Sequence, residues 1–380
     1  MTVRVSKPEF NLREKITELD KPTGLKGLDL MRSDTTQDAR TFTSSGRKNL
    51  VVNGQFDIWQ RATDSGSNTN DGYLTADRWF HASSGATKQV TRQSFSTGQT
   101  DVPDNPKYYL RYAVTTGNNN VALRQRIEGV ENVQGEMTLS FWVKGSNPGG
   151  GVFNLTFRQN FGSGGSASSV VDQGITNYSV TNYWTKKIFT FTPLSISGKT
   201  IGTTEGTSYY EIELFRQPAG DTTTTAFTVD FANVQLERGG NATEFDERSF
   251  GEELALCQRY AYRLGGLSKA YQVVGNGFIG QNGGTKCAKV LVDLPTTMRT
   301  NPSVSVIGTD SFWAHTGAAF SDMACTLTSN TGGTWTSASS GNQIWLDFGR
   351  SSGGSPDNGT ACVVYTQATN QGEVMFDAEL

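Results

Sequence analysis

Met137-Thr138-Leu139-Ser140-Phe141-Trp142-Val143-Lys144 alternates apolar and polar side chains, and that alternation decides the fold class. With a period of two, Leu139, Phe141 and Val143 fall on one side of a strand, and Ser140, Trp142 and Lys144 on the other. Residues 152–158 repeat the pattern, with Phe153, Leu155 and Phe157 opposing Asn154, Thr156 and Arg158. A strand with one apolar and one wet face belongs in an antiparallel sheet that covers a core on one side only. Similar runs, bounded by Gly, Asn and Pro, recur near 49–53, 55–60, 76–81, 88–95, 107–115, 120–128, 185–192, 207–215 and 225–237. Two sheets' worth of strands predict an aligned β-sandwich of jelly-roll type.

The flanks differ in texture. Residues 1–48 carry ten basic and seven acidic side chains with little β-branched alternation. Ser6-Lys7-Pro8-Glu9 reads as a capping box opening a short helix with Phe10, Ile16 and Leu19 on one stripe, ended by Lys21-Pro22-Thr23-Gly24. A helix this short is marginal alone, so the segment is expected to fray or to order against a partner. Ser249-Phe-Gly-Glu252 is a second capping box, opening a helix-like stretch over 252–259. Beyond it, short strands near 270–279, 286–293, 303–308, 323–328, 343–348, 361–367 and 372–378 predict a smaller sandwich. The expected organisation is an N-terminal attachment segment over 1–48, a jelly roll over 49–248 and a C-terminal β domain over 249–380. The fold class is all-β. With 43 glycines and 21 Phe, 12 Tyr and 7 Trp in 380 residues, turns and aromatic cores fit that class.

Several function classes drop out. The 33 basic and 36 acidic residues are spread evenly, so the basic footprint of a nucleic-acid binder is missing. No run approaches the roughly 20 apolar residues of a membrane span, so no membrane insertion is expected. The N-terminus lacks the apolar region of a signal peptide. Cys257, Cys287, Cys325 and Cys362 fit neither a zinc cluster nor a redox motif, and read as buried free thiols. His81 and His315 lie too far apart in sequence for a metal pair, and His81 at a strand end is read as structural. Gly280-Gln-Asn-Gly-Gly-Thr-Lys286 lacks phosphate-loop spacing and reads as a hairpin turn. Glu211 and Glu213 share a strand face where solvent or basic neighbours are expected; a paired-carboxylate depolymerase is the minor alternative.

Asn49-Leu-Val-Val-Asn-Gly-Gln-Phe-Asp-Ile-Trp-Gln-Arg61 and Ala76-Asp-Arg-Trp79 resemble the opening of carbohydrate-binding-type jelly rolls in phage tail-fibre and other virion proteins. Gln125-Arg-Ile-Glu128, Leu139-Ser-Phe-Trp-Val-Lys-Gly145, Gly198-Lys-Thr-Ile201, Val234-Gln-Leu-Glu237, Ala242-Thr-Glu-Phe245 and Glu253-Leu-Ala-Leu-Cys-Gln-Arg-Tyr260 continue the likeness in order. Lys7-Pro-Glu-Phe-Asn-Leu-Arg-Glu-Lys15 looks like the start of fibre-like proteins of phages of marine bacteria. The resemblance implies a location in the virion, a homotrimer, attachment to tail or adaptor proteins through residues 1–48, and a host-surface glycan as ligand. A purely architectural capsid fibre or tail adaptor is the alternative. Such jelly rolls often hold a structural calcium. Asp230 matches the late aspartate, whereas Gln55 replaces the acid common near the first strand.

Sugars are recognised by aromatic faces with amides, carboxylates and guanidinium groups around them. Trp142 and Arg158, on wet strand faces close in sequence, are candidates to line one sheet; a sibling chain or neighbouring domain covering them is the alternative. Trp313, His315 and Trp335, in Ser/Thr/Gly-rich stretches read as loops, are the other candidates. Trp59, Trp79 and Trp184 are read as core.

Overall fold

The computed structural model describes residues 48–380 except 84, 117–120, 147–150, 217–225, 265–270, 283, 308–311, 318–322, 328–342 and 367–371. The 1–48 segment, apart from Lys48, and Trp335 lie outside the described residues. In the sandwich the strands are β1 (Phe80–Ala82), β2 (Thr87–Ser94), β3 (Tyr108–Thr116), β4 (Ala122–Glu128), β5 (Met137–Gly145), β6 (Phe153–Asn160), β7 (Val171–Tyr178), β8 (Thr185–Phe191), β9 (Tyr209–Arg216) and β10 (Phe227–Arg238). They form a front sheet, β1-β4-β9-β6-β7, and a back sheet, β2-β3-β10-β5-β8. Every pairing is antiparallel. The jelly-roll sandwich expected from the alternation is present.

The interior between the two sheets is aromatic. Leu139, Phe141 and Val143 of β5 and Phe153, Leu155 and Phe157 of β6 are buried, the faces the alternation assigned to the core. Phe157 stacks on Phe191 at 4.0 Å between ring centres, and Phe215 on Phe231 at 5.7 Å. Burying each such ring contributes about 2–3 kcal/mol. Trp59 and Trp79 are buried as expected. His81 is also buried, with Nε2 3.2 Å from Thr75 Oγ1, and desolvation lowers its pKa to about 3.

Two strand expectations fail locally, and the strand expected over 76–81 begins only at Phe80, after a turn with Arg78 at positive φ. Residues 49–60 form turns: Asn53 and Phe56 have positive φ, and the Asn53 amide group donates to Ile58 O and Asp77 O while its oxygen accepts from Ile58 N. A side chain that replaces ladder bonds this fully stabilises a turn over a strand. At Gly54 a Cβ would lie 2.1 Å from Val234 O, so only glycine permits the close approach of this turn to β10. Conversely β7 has no sequence forecast. It is an edge strand paired only with β6, and Tyr178 alone of its described side chains is buried, which leaves no alternating pattern.

After the sandwich, α1 (Phe250–Gln258) begins at the forecast capping box, with Ser249 and Glu252 exchanging hydrogen bonds. The C-terminal strands are β11 (Ala261–Leu264), β12 (Val273–Asn282), β13 (Thr285–Asp293), β14 (Ser303–Ile307), β15 (Phe312–His315), β16 (Met323–Leu327), β17 (Gln343–Gly353), β18 (Ala361–Thr366) and β19 (Glu373–Asp377). The small β domain takes the form of a closed ring, β12-β13-β17-β16-β15-β18, with a three-stranded sheet, β11-β19-β14, sharing its apolar cluster. Ring closure runs through β12, which pairs with both β13 and β18. Glycine makes this possible, since a Cβ on Gly277 would lie 1.8 Å from Lys289 O. The 280–286 stretch joins β12 to β13 as a hairpin, and all four cysteines are buried and outside any disulfide.

The end of the chain returns to the sandwich. Arg61 pairs with Asp377 at 2.9 Å and Glu379 at 3.4 Å, Arg78 pairs with Glu379, and Tyr73 donates to Leu380 O at 3.2 Å. Arg299 clamps the same segment, donating to Ala378 O and Glu379 O, and reaches the sandwich at Gly206 O.

Candidate functional site: the two outer faces of the sandwich

Because Tyr210 and Ile212 of β9 enter the core, Glu211 and Glu213 must face outward. Register then decides what they meet. Arg126 of β4, Glu211 of β9, Arg158 of β6 and Asp172 of β7 stand opposite one another in a row across four strands. Beside it, Phe80, Arg124, Glu213 and Thr156 form a second row. Signs alternate along the first row, the favourable cross-strand arrangement.

The distances match the register. Arg126 Nε donates to Glu211 at 2.8 Å, and Arg158 lies 3.6 Å from the other oxygen of Glu211. Arg158 also binds Asp172 bidentately at 2.6 and 3.0 Å. Glu213 lies 2.6 Å from Arg124 and 3.8 Å from Arg216. Its hydrogen bond to Asp172 raises the pKa of Arg158, and the same bond holds Asp172 below the usual carboxylate range. Glu213 shifts the other way, raised by burial. At one end the Arg126 guanidinium lies 4.6 Å from the centre of the Tyr209 ring and 5.4 Å from that of Phe80. This front face therefore presents fixed donors and acceptors beside two half-buried rings. Asp172 keeps 49 % of its side chain exposed and Arg158 28 %.

The back face follows the same alternation to a different end. Trp142 stands outside but gathers with Phe95, Tyr109, Trp184, Val102 and Ala232. The connection from β2 to β3 lays Phe95 and Val102 over the sheet and is closed by Phe95 N donating to Lys107 O at 3.0 Å. Lys144 Nζ lies 4.9 Å from the Trp184 ring centre. Arg111 holds both oxygens of Asp230 at 2.8 and 2.9 Å, with Lys144 at 3.8 Å.

The sequence candidates are thus separated. Trp142 and Arg158 do not line one sheet; they point away from opposite sheets, because β5 and β6 are consecutive in sequence but cross from one layer to the other. Trp184 is not core but part of the outer aromatic cluster. Trp313 and His315 lie on β15, not in a loop, and project outward between the buried Phe312 and Ala314. Trp313 stands opposite Tyr365 of β18. Asp230, matched above to a calcium ligand, accepts from Arg111 through both carboxylate oxygens. Among the described residues no group of three or more His, Cys, Asp or Glu could hold a metal ion. Of the solvent or basic neighbours expected for Glu211 and Glu213, the structure supplies the basic ones and buries both acids. The spacing Arg124-x-Arg126 and Glu211-x-Glu213 carried that signal, but not the identity of the facing strand.

No family model matches the chain, and no curated protein matches it. Among solved structures, the enzymatically active domain of tailspike protein 4 of bacteriophage CBA120 is 15 % identical, over 50 % of this chain and 21 % of that one, with a TM-score of 0.27. A carbohydrate-binding module, CBM4, is 17 % identical over 49 % of this chain and 97 % of its own, with a TM-score of 0.27. A xylan-binding domain from Paenibacillus barcinonensis is 14 % identical over 47 % of this chain and 94 % of its own, with a TM-score of 0.26. The chain spans about a fifth of the tailspike domain and nearly all of each module. Likenesses this loose decide nothing about ligand.

Proposed function

We propose that this chain is a non-catalytic glycan-binding protein of a virus particle, which reads a host-surface polysaccharide through the front face of its sandwich. The observation that carries the reading is the Arg126–Glu211–Arg158–Asp172 row beside Tyr209 and Phe80. Guanidinium and carboxylate groups locked by one another keep their orientation without a ligand, so sugar hydroxyls meet preformed partners at low entropic cost. The adjoining rings offer apolar surface to sugar C–H groups. Binding is the favoured role because each glutamate of the face is tied to two guanidinium groups, so neither carboxyl stands free to meet a glycosidic oxygen.

The ordered sequence likeness to fibre proteins supports the virion location, with residues 1–48 as the attachment segment to tail or adaptor proteins and a homotrimer as the working state. Avidity over three shallow sites then supplies the strength of attachment. The test is glycan-array binding by the full chain and its Arg158→Ala and Tyr209→Ala variants. Each variant is expected to keep its melting temperature within a few degrees and to weaken binding about tenfold or more. Array binding that both variants retain in full would sink the assignment to this face. Light scattering reads the trimer, and the protein composition of purified particles reads the location.

A further inference from the structure

A second site lies away from the front face, where the start of the sandwich meets α1. A cleft of about 820 Å³ opens between residues 57–60, the facing ends of β2 and β3, and the first turns of α1. Of the six charged side chains of its lining, two are the acids Asp57 and Glu247 and four are cations, which are paired or left apart in a definite pattern. Arg248 is paired with Glu253, and Arg263 with Glu373. Arg92 and Lys107 have no carboxylate within ion-pair distance among the described residues. Both stand over the same ring, with the Arg92 guanidinium 4.4 Å and the Lys107 ammonium 5.0 Å from the centre of Tyr108. Both line the cleft, so an anionic group entering it meets two cations that have no carboxylate partner among the described residues.

The opposite side of the cleft has the complementary deficit. Asp57 Oδ1 is buried and accepts no hydrogen bond. Desolvation, reinforced by Glu253 and Glu247 and opposed by Lys107, raises this carboxyl to about 6. A buried acceptor without a donor costs about 1–3 kcal/mol, and a hydroxyl group entering the cleft would remove that cost. Phe250, 62 % exposed although it is the first residue of α1, provides an apolar wall. Paired cations, an unfilled acceptor and an exposed ring are complementary to a molecule that has an anionic group, hydroxyl groups and an apolar face.

We propose that this cleft binds an acidic saccharide, its anionic group held by Arg92 and Lys107, its hydroxyl groups donating to Asp57, and its C–H face against Phe250. The inference rests on the reading of the chain as a glycan binder, and adds to it a separate site and a substrate class. Carboxylate and sulfate groups share the chemistry that the two cations recognise.

Calorimetry on the full chain tests it with three probes of equal length: an oligogalacturonate, a sulfated galactan oligomer and a neutral galactan oligomer. At least one acidic probe is expected to bind about tenfold tighter than the neutral one, with the preference shrinking as salt rises from about 50 to about 300 mM. Whichever acidic probe is preferred identifies the anionic group. Arg92→Gln and Lys107→Gln are each expected to weaken that probe about tenfold and to leave the neutral one unchanged. Equal binding of acidic and neutral probes, or cleft variants that melt and bind as wild type does, would overturn the inference. If Arg158→Ala alone abolishes binding, the cleft inference falls and the front-face reading stands. If none of the probes binds and the glycan array is blank, both fall.

Discussion

The front and back faces of the sandwich are written in the same alternating code and end in opposite conditions. On the front, guanidinium and carboxylate groups from four strands lock one another and remain in part open. On the back, Trp142, Tyr109 and Trp184 stand outward just as clearly, but the connection from β2 to β3 lays Phe95 and Val102 across them and converts the face into a small satellite core. An outward-facing tryptophan is therefore no better a ligand candidate than an outward-facing glutamate until what lies across it is known.

The largest expected effect tests the front row at its centre. Glu211→Ala leaves Arg126 and Arg158 without the carboxylate between them, and should lower unfolding free energy by about 3 kcal/mol, since removing one member of a nearly buried ion cluster strands its partners. Urea denaturation checks this; a loss no larger than that of an exposed pair would show the row to be solvated. Trp142→Ala comes next. If the back face is a satellite core, the variant should lose about 2 kcal/mol from a half-buried ring and bind glycans as before. A loss of binding with little loss of stability would reverse the comparison and return Trp142 to the candidate site.

Acid sharpens the contrast by a background both faces share. His81, inside the sandwich, has a folded pKa lowered to about 3, below its unfolded value of about 6.5. Its contribution is thus fully present above about pH 6.5 and is lost as pH falls toward 3, on the order of 2 kcal/mol at about pH 5. A His81→Gln chain, measured by urea midpoint against pH, should lack that slope. What acid lability remains below about pH 4 belongs to paired carboxylates such as Asp172, whose depressed pKa makes its contribution present above the unfolded value and lost as pH falls through the folded one. The smallest effect is expected at the exposed end of the row, where Asp172→Asn should cost no more than about 1 kcal/mol because water screens a half-exposed pair.

How far these differences were legible in the sequence varies by element. The inward sets of β5 and β6, the capping box at Ser249 and the hairpin over 280–286 could be read directly, because each depends on residues within a few positions of one another. Edge strand β7 could not, since an edge strand with a wet face leaves almost no apolar period. The turn over 49–60 was misread as strand because its apolar residues serve the core while Asn53 holds the backbone in place of a ladder. Trp313 looked like a loop residue because β15 is only four residues long and glycine and serine flank it.

The amino-acid sequence by itself determined that this is an all-β chain, that the sandwich has an aromatic core, and that Glu211 and Arg158 point away from it. These follow from local periodicity, which fixes the side of a strand on which a residue stands. Only the tertiary structure decided that these two stand in one row with Arg126, that Trp142 and Arg158 face opposite ways, that Asp230 is claimed by Arg111, and that Arg92, Lys107 and Asp57 surround one cleft. Those facts depend on strand order and register between segments as much as 119 residues apart, as in the Arg111–Asp230 pair. No local pattern specifies that pairing, because cross-strand partners are chosen by how two sheets close over a shared core.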